Sequence, residues 1–223
     1  MTADFTTQHG ALTLTAVVTD PPWFENCYIV QHSQTGEQLV IDPGSNPERI
    51  LAALKANGGP VREILLTHGH PDHLGAVRAL QEALDVPCRG HEDEAPMVAN
   101  IADYARRRLG MSVEVPLSFV PFPTGTGFTL GDQSFTAIPT PGHTPGGVCY
   151  AFDGFVLTGD TLFNHGVGRT DLPGGDQRLL VGSISTLLDQ LPADAFLYSG
   201  HGPRWGVDEA RPWWSAMRGW GEV

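Results

Sequence analysis

Three imidazoles and one carboxylate fall within seven residues of this chain, Thr67-His68-Gly69-His70-Pro71-Asp72-His73. Imidazole nitrogen and carboxylate oxygen are the donors that zinc and similar divalent metals favour, so metal-assisted chemistry is the first reading. With 9 histidines in 223 residues, a His-x-His-x-Asp-His pattern arises by accident in about one such chain per thousand. Three later turns carry the same kinds of residue: Thr140-Pro141-Gly142-His143-Thr144-Pro145-Gly146, Gly159-Asp160 and Ser199-Gly200-His201-Gly202. Loops that leave one edge of a layered sheet can converge on one cleft, which is how residues so far apart in sequence would meet.

The elements needed to hold these turns are legible. Alternation of Leu12, Leu14, Ala16 and Val18 against Thr13 and Thr15 predicts a half-buried strand over 11–18. Strands follow over Cys27–Gln31 and Glu37–Ile41, the latter stopped by Asp42-Pro43-Gly44. Asn46 and Pro47 open a helix closed by Gly58-Gly59, and Val61–Leu66 is the strand that delivers the histidine turn. Helices are expected from His73 to about Leu84 and from Glu92 to Leu109, the second interrupted early at Pro96, with a short strand at Val86–Arg89 between them. The stretch 116–127, rich in proline and glycine, reads as loop.

Phe128–Leu130 with Gln133–Ile138, and Val148–Phe152 with Phe155–Thr158 across Asp153-Gly154, read as hairpins. A glycine-rich loop over 166–175 leads into a helix from Asp176 to about Leu191, and Ala195–Tyr198 is the last expected strand. Strands, helices, strands and helices in that order suggest two sheets with helices packed outside. The tryptophan-rich tail (Trp205, Trp213, Trp214, Trp220) leaves three roles open, covering the core, lining the cleft or forming a dimer contact, of which core packing is the commonest for such residues.

Composition excludes several classes of function. A net charge of −12 offers little to a phosphate backbone, so nucleic acid is not expected as a partner. The Arg106-Arg107-Arg108 run suits a solvated helix C-terminus. Three widely spaced cysteines, Cys27, Cys88 and Cys149, suggest no disulfide framework and a reducing, cytoplasmic setting. No export signal or membrane span is expected. His9, His32, His91 and His165 read as ordinary surface or capping residues.

Taken together, T-H-x-H-x-D-H, T-P-G-H-T-P-G, L-T-G-D-T-L-F and S-G-H-G resemble the metallo-β-lactamase superfamily across nearly the whole chain. The resemblance implies an α/β fold, an αββα four-layer sandwich of two β-sheets with outer helices, here as one domain over 1–223. It also implies that His68, His70 and His143 bind a first metal and that Asp72, His73 and His201 bind a second. Asp160 would bridge the two. The implied cofactors are two divalent ions, zinc foremost, with iron or manganese as alternatives. Aspartate at 160, where thiolate-liganded zinc β-lactamases carry cysteine, argues for a carboxylate-bridged pair and against an antibiotic-destroying enzyme.

The segment Gly168-Arg169-Thr170-Asp171 resembles glyoxalase II-like hydrolases and also the persulfide dioxygenases of the superfamily. Full-length glyoxalase II carries a lysine-aromatic-tyrosine segment there and a helical glutathione-binding domain, for which the 22 residues after His201 are too few. Arg169 and Asp171 are therefore candidates either for substrate contact or for bracing each other. The preferred activity is thioester hydrolysis of the hydroxyacylglutathione type, on a small-molecule substrate, by a hydroxide held between the metals and oriented by Asp72 or Asp160. A thiolate, with a thiol pKa of about 8.5, leaves without strong acid assistance. The alternatives are a mononuclear iron persulfide dioxygenase using His68, His143 and Asp160, a lactonase within the hydrolase reading, and a non-catalytic metal-bearing scaffold, which the full set of seven candidate ligands disfavours. Acyl group, thiol carrier, native metal and oligomeric state are not readable from the sequence.

Overall fold

The computed structural model describes residues 4–220, with the side chains of 218–220 excepted, so Trp220 lies outside the described side chains. A seven-stranded sheet runs in chain order: β1 (Phe5–His9), β2 (Leu12–Val18), β3 (Asn26–His32), β4 (Gln38–Ile41), β5 (Val61–Leu65), β6 (Cys88–His91) and β7 (Val120–Phe122). The early pairs are antiparallel, whereas β4 to β7 pair in parallel. The second half of the chain supplies β8 (Gly127–Leu130), β9 (Gln133–Pro139), β10 (Val148–Phe152) and β11 (Phe155–Gly159). A small hairpin, β12 (Leu162–Phe163) with β13 (Gly166–Val167), precedes β14 (Phe196–Ser199) and β15 (Trp205–Gly206). The second sheet has six strands in the order β15-β14-β11-β10-β9-β8, and β14 joins β11 in parallel.

Apolar periodicity explains the layers. Inward residues such as Leu14, Val30, Ile41, Phe135, Tyr150 and Leu157 form the core between the sheets. On the outer face of the first sheet, Ile29, Ile64 and Leu66 meet α1 (Pro47–Asn57), α3 (Val77–Leu84) and α5 (Ile101–Leu109). Val156 and Leu197 of the second sheet meet α6 (Gln177–Gln190) and α7 (Val207–Trp220). Two sheets flanked by helices are the expected αββα arrangement. Trp205 and Trp214 pack in this last core and Trp213 packs against it.

Strand direction puts the predicted turns at one end. β4 and β5 are parallel, so Asp42 and Thr67 leave the same edge. β11 and β14 are parallel, so Asp160 and Gly200 do the same. The two sheets are joined there by hydrogen bonds from Val148 N to Thr67 O at 2.9 Å and from Asn26 N to Gly200 O at 2.7 Å. Two buried tyrosines reinforce the seam from opposite sides. Tyr150, in the second sheet, donates to Leu66 O at 2.8 Å, and Tyr28, in the first, donates to Ser199 O at 2.7 Å.

Several elements depart from the sequence reading. The expected helix from His73 to Leu84 is two pieces, α2 (Pro71–Leu74) and α3, because Ala76 N donates to Pro43 O at 2.9 Å and docks the chain onto the Asp42-Pro43-Gly44 turn. The helix over Glu92–Leu109 breaks at Asn100, not Pro96, giving a 3₁₀ turn (Glu92–Glu94), α4 (Ala95–Ala99) and α5. Proline is tolerated at a first turn, where its missing N–H has no partner to lose. Asn46 precedes α1 without capping it through its side chain, whose amide is committed to Asp20 on both sides. β7 forms inside the stretch read as loop; as an edge strand it can accommodate Pro121. β1, β12, β13 and β15 were not expected, so Phe196–Ser199 is not the last strand.

The tyrosine seam makes a prediction. Tyr150→Phe leaves a buried carbonyl without that donor and is expected to cost about 1–3 kcal/mol. Tyr28→Phe is expected to cost less, because Ser199 O keeps a hydrogen bond from Asn26 Nδ2 at 2.9 Å. Urea denaturation of both variants checks the order; equal losses would show that the seam is not borne by these hydroxyls.

Candidate metal centre

Every predicted site residue except Arg169 and Asp171 arrives in one cluster. Ring nitrogens of His68, His70 and His143 lie within 4.8 Å of one another, as do donor atoms of Asp72, His73 and His201. Asp160 stands between the two groups. Its Oδ1 is 3.2 Å from His73 Nε2, and its Oδ2 is 3.7 Å from both His143 Nε2 and His201 Nε2. Asp72 Oδ2 lies 3.3 Å from His201 Nε2.

Hydrogen-bond partners assign the tautomers. His143 Nδ1 donates to Arg169 O at 2.7 Å, and His201 Nδ1 donates to Trp23 O at 3.1 Å. His73 Nδ1 donates to Asp42 Oδ2 at 3.0 Å. Thr67 Oγ1 donates to Asp42 Oδ2 at 2.5 Å and so accepts from His68 Nδ1 at 3.0 Å. Each of these four rings therefore turns its Nε2 towards the cleft. His70 differs, presenting Nδ1, which lies 2.9 Å from His143 Nε2.

Burial sets the charges. His68 is held well below the ordinary imidazole range, by desolvation first and then by its neighbouring imidazoles. His70 is pushed down to about 3 for the same reasons, with His143 the largest neighbour. Both rings are thus neutral donors at pH 7. For Asp160, burial works to raise the pKa, but the surrounding imidazoles, His73 foremost, outweigh it and hold the carboxyl low. Asp72 is lowered likewise, against burial, by His201 and His73. His73 moves the other way: burial opposes its charge, but Asp160 and Asp42 overcome that and raise its proton affinity.

The neutral nitrogens of His68 and His70 and the ionised oxygens of Asp72 and Asp160, convergent in one cluster, suit a divalent cation. His68 Nε2, His73 Nε2 and Asp160 Oδ1 are fully shielded from solvent and lack a hydrogen-bond partner among the described residues. Such atoms are costly to bury unless something else satisfies them.

Two anchoring residues escaped the sequence reading. Asp42 accepts from Thr67 N at 2.7 Å as well as from Thr67 Oγ1 and His73 Nδ1, so one carboxylate orients His73 directly and His68 through the threonine. It adopts a left-handed backbone conformation with φ of 52°. Its signal was available, since it ends a strand in a Pro-Gly turn, as the ligand turns do. Glu94 is 1% exposed; its Oε2 accepts from Gly69 N and its Oε1 from Gly146 N, both at 2.7 Å. It clamps the His68 turn to the His143 turn, and nothing in its helical context announces that. Tyr104, half-buried, stacks near His70 with ring centroids 6.2 Å apart.

The remaining predictions separate. Arg169 and Asp171 lie outside the cluster and brace each other through two hydrogen bonds of 2.7 Å. His32 and His91 are buried rather than on the surface, and each is satisfied: His32 by Asp132 at 2.9 Å, His91 by Thr124 at 2.9 Å and by capping the turn at Asp93 N. His9 pairs with Tyr198, and His165 is exposed beside Trp205. The three cysteines are free and buried. No helix among the described residues is long and apolar enough to cross a membrane.

The family model of the metallo-β-lactamase superfamily matches residues 20–201, the span that contains all four ligand turns. The chain belongs to that superfamily. It is 32% identical to the hydroxyacylglutathione hydrolase GloC of Haemophilus influenzae over 187 residues, which is 80% of this chain and 85% of the relative. Among solved structures it resembles TTHA1623 in a di-iron-bound form, with a TM-score of 0.78 and 38% identity over 88% of this chain and 96% of that one. It also resembles the BLEG-1 B3 metallo-β-lactamase, with a TM-score of 0.80 and 30% identity over 89% and 96%. The His/Asp cluster is thus a metal-binding site of the metallo-hydrolase superfamily.

The two anchors are testable. Asp42→Asn and Glu94→Gln each replace an acceptor by a donor facing an N–H or O–H, and each is expected to weaken metal retention about 10- to 100-fold. Competition against a chromogenic chelator measures this, with circular dichroism to confirm folding. Wild-type affinity in both variants would mean that the clamps do not position the ligands.

Proposed function

We propose that the chain is a dinuclear metal-dependent hydrolase that cleaves a small-molecule thioester. The observation that carries the reading is the pair of three-residue donor groups with Asp160 between them. His68, His70 and His143 would hold one divalent cation, Asp72, His73 and His201 the other, and Asp160 would touch both. Bound there, such ions supply Lewis acidity, which makes hydroxide available near neutral pH and polarises a carbonyl.

The protein's own groups do the rest. Asp42 and Arg169 O fix His73 and His143 so that their Nε2 atoms stay aimed into the cleft. Asp72 and Asp160, held ionised, can accept hydrogen bonds from an attacking water and orient it towards the substrate carbonyl. His68 and His70 are held neutral by burial, Asp72 and Asp160 are held ionised, and His73 spends its Nδ1 on Asp42. Tyr104, the phenol beside His70, has its pKa raised by burial and is a weak acid. A site without a strong general acid favours a leaving group that needs none, and a thiolate meets that condition better than an alkoxide or amide nitrogen. The hydroxyacylglutathione hydrolase among the relatives supports a thioester, and the di-iron structure supports two ions. The lactamase neighbour supports a second reading, hydrolysis of a cyclic amide.

Asp160→Asn separates these roles. Removing the charge between two cations is expected to deplete both ions and to lower thiol release from a hydroxyacyl thioester at least ~100-fold, whereas His201→Ala should chiefly deplete one. Elemental analysis and turnover at saturating zinc are the measurements. An Asp160→Asn protein with two ions and most of its activity would end the bridged-pair reading. Inert thioesters with stoichiometric oxygen uptake on glutathione persulfide would replace hydrolysis by dioxygenation, and faster turnover of a β-lactam would select the amide reading.

A further inference from the structure

A cavity of about 710 Å³ lies against the loop that follows Asp160, within the roughly 300–1,000 Å³ usual for small-molecule sites. Its walls are the β12–β13 hairpin with the loop that follows, the first half of α6, and α7. Val167, Leu180, Val181, Ile184, Trp213 and Met217 line it. Val167, Val181 and Met217 are 40%, 37% and 50% exposed, so apolar side chains converge here without a covering layer among the described residues. Trp214 also lines the cavity, and its Nε1 is already bonded to Ser185 Oγ at 3.1 Å. The ring therefore has no free polar handle to offer a ligand.

Formal charge is scarce on the described walls. Among the described lining residues no carboxylate appears, and the one arginine, Arg169, is bound to Asp171 through two hydrogen bonds of 2.7 Å. His165, Thr170 and Gln177 complete the polar part of the described lining.

The cavity shares its walls with the ligand turns. Gly168 lines it from one side and packs against the metal centre from the other: a Cβ there would lie 1.9 Å from Asp160 O and 3.0 Å from His143 Nδ1. Arg169 O, in the same wall, accepts the His143 Nδ1 hydrogen bond. Leu180 lines the cavity and packs on Gly142, whose Cβ would meet Leu180 N at 2.2 Å. Two walls are thus the backs of the segments that hold His143 and Asp160.

We propose that this cavity receives an uncharged, apolar arm of the substrate, so that the enzyme selects thioesters carrying an aliphatic or aromatic group over those built only of charged peptide. The inference rests on the thioester-hydrolase reading for its chemistry and on the cavity for its selectivity. The apolar arm can sit on the acyl or on the thiol side of the scissile bond.

Two substrate series on the metal-loaded protein distinguish the sides: acetyl to octanoyl esters of N-acetylcysteamine, and acetyl esters of thiols from ethanethiol to octanethiol. In one series kcat/KM is expected to rise roughly three- to fourfold per methylene until the cavity is filled. Val181→Asp, on the exposed rim, is expected to cut the octanoyl-to-acetyl preference at least tenfold while metal content and circular dichroism stay at wild-type values. The non-hydrolysable thioether S-octyl-N-acetylcysteamine gives a readout independent of turnover: it should quench tryptophan fluorescence saturably in the wild type and not in Val181→Asp. Thioether binding with no thioester turned over would uphold the cavity and sink the hydrolase reading. Flat profiles in both series without thioether binding would overturn the proposal. So would a concentration-dependent dimer that Val181→Asp dissociates, which would show that a second copy covers the groove.

Discussion

Removing imidazoles and carboxylates from water is costly unless each polar atom has a fixed partner, and this constraint shapes the whole end of the sandwich. His68, His73, His143 and His201 each spend one nitrogen on an acceptor outside the cleft, which leaves the other nitrogen as the reactive one. The acceptors are a threonine, a buried carboxylate and two main-chain carbonyls, each placed by a neighbouring strand end or loop. Buried acids that do not reach the cleft are as much a part of the centre as those that do. Asp42 ties the end of β4 to the histidine turn, and Glu94 ties that turn to the one carrying His143.

The topology makes such ties short. Parallel pairing of β4 with β5 and of β11 with β14 brings Asp42 beside Thr67 and Asp160 beside Gly200 without any long connection. Gly200 shows how close the fit is. A Cβ there would lie 2.5 Å from both Asp160 Oδ1 and His73 Cε1, so the turn carrying His201 can approach only because the residue has no side chain. The seam of hydrogen bonds between the sheets lies at this same end, so packing of the sandwich and alignment of the donor groups are one event.

Residues that touch the cleft were legible because chemistry restricts them to few types at fixed spacings. His68, His70, Asp72, His73, His143, Asp160 and His201 could be picked from their turns alone. Strands with clean alternation, such as 12–18, were equally plain. What stayed hidden depends on contacts between distant segments. Nothing local tells that Ala76 N will bond Pro43 O and split a helix, that Asn46 will serve Asp20 instead of a helix end, or that Glu94 will reach two loops. Short pairs such as β12 with β13 lack enough residues to show a period. Histidines 32 and 91 look like surface residues by type, but Asp132 and Thr124 satisfy them in the interior.

Gly168 joins two properties that are ordinarily free to vary apart. The loop around it faces a cavity suited to recognition, and loops of that kind are where relatives on one scaffold diverge. Its other face rests on Asp160 and His143 with no room for a side chain. A change of length or bulk at this point would reach the donor groups as directly as it reaches the cavity wall. New selectivity acquired through this loop would therefore carry a correlated change in hold on the cofactor, and the tolerated routes to it are confined to side chains on the cavity side, leaving the backbone at Gly168 where it is.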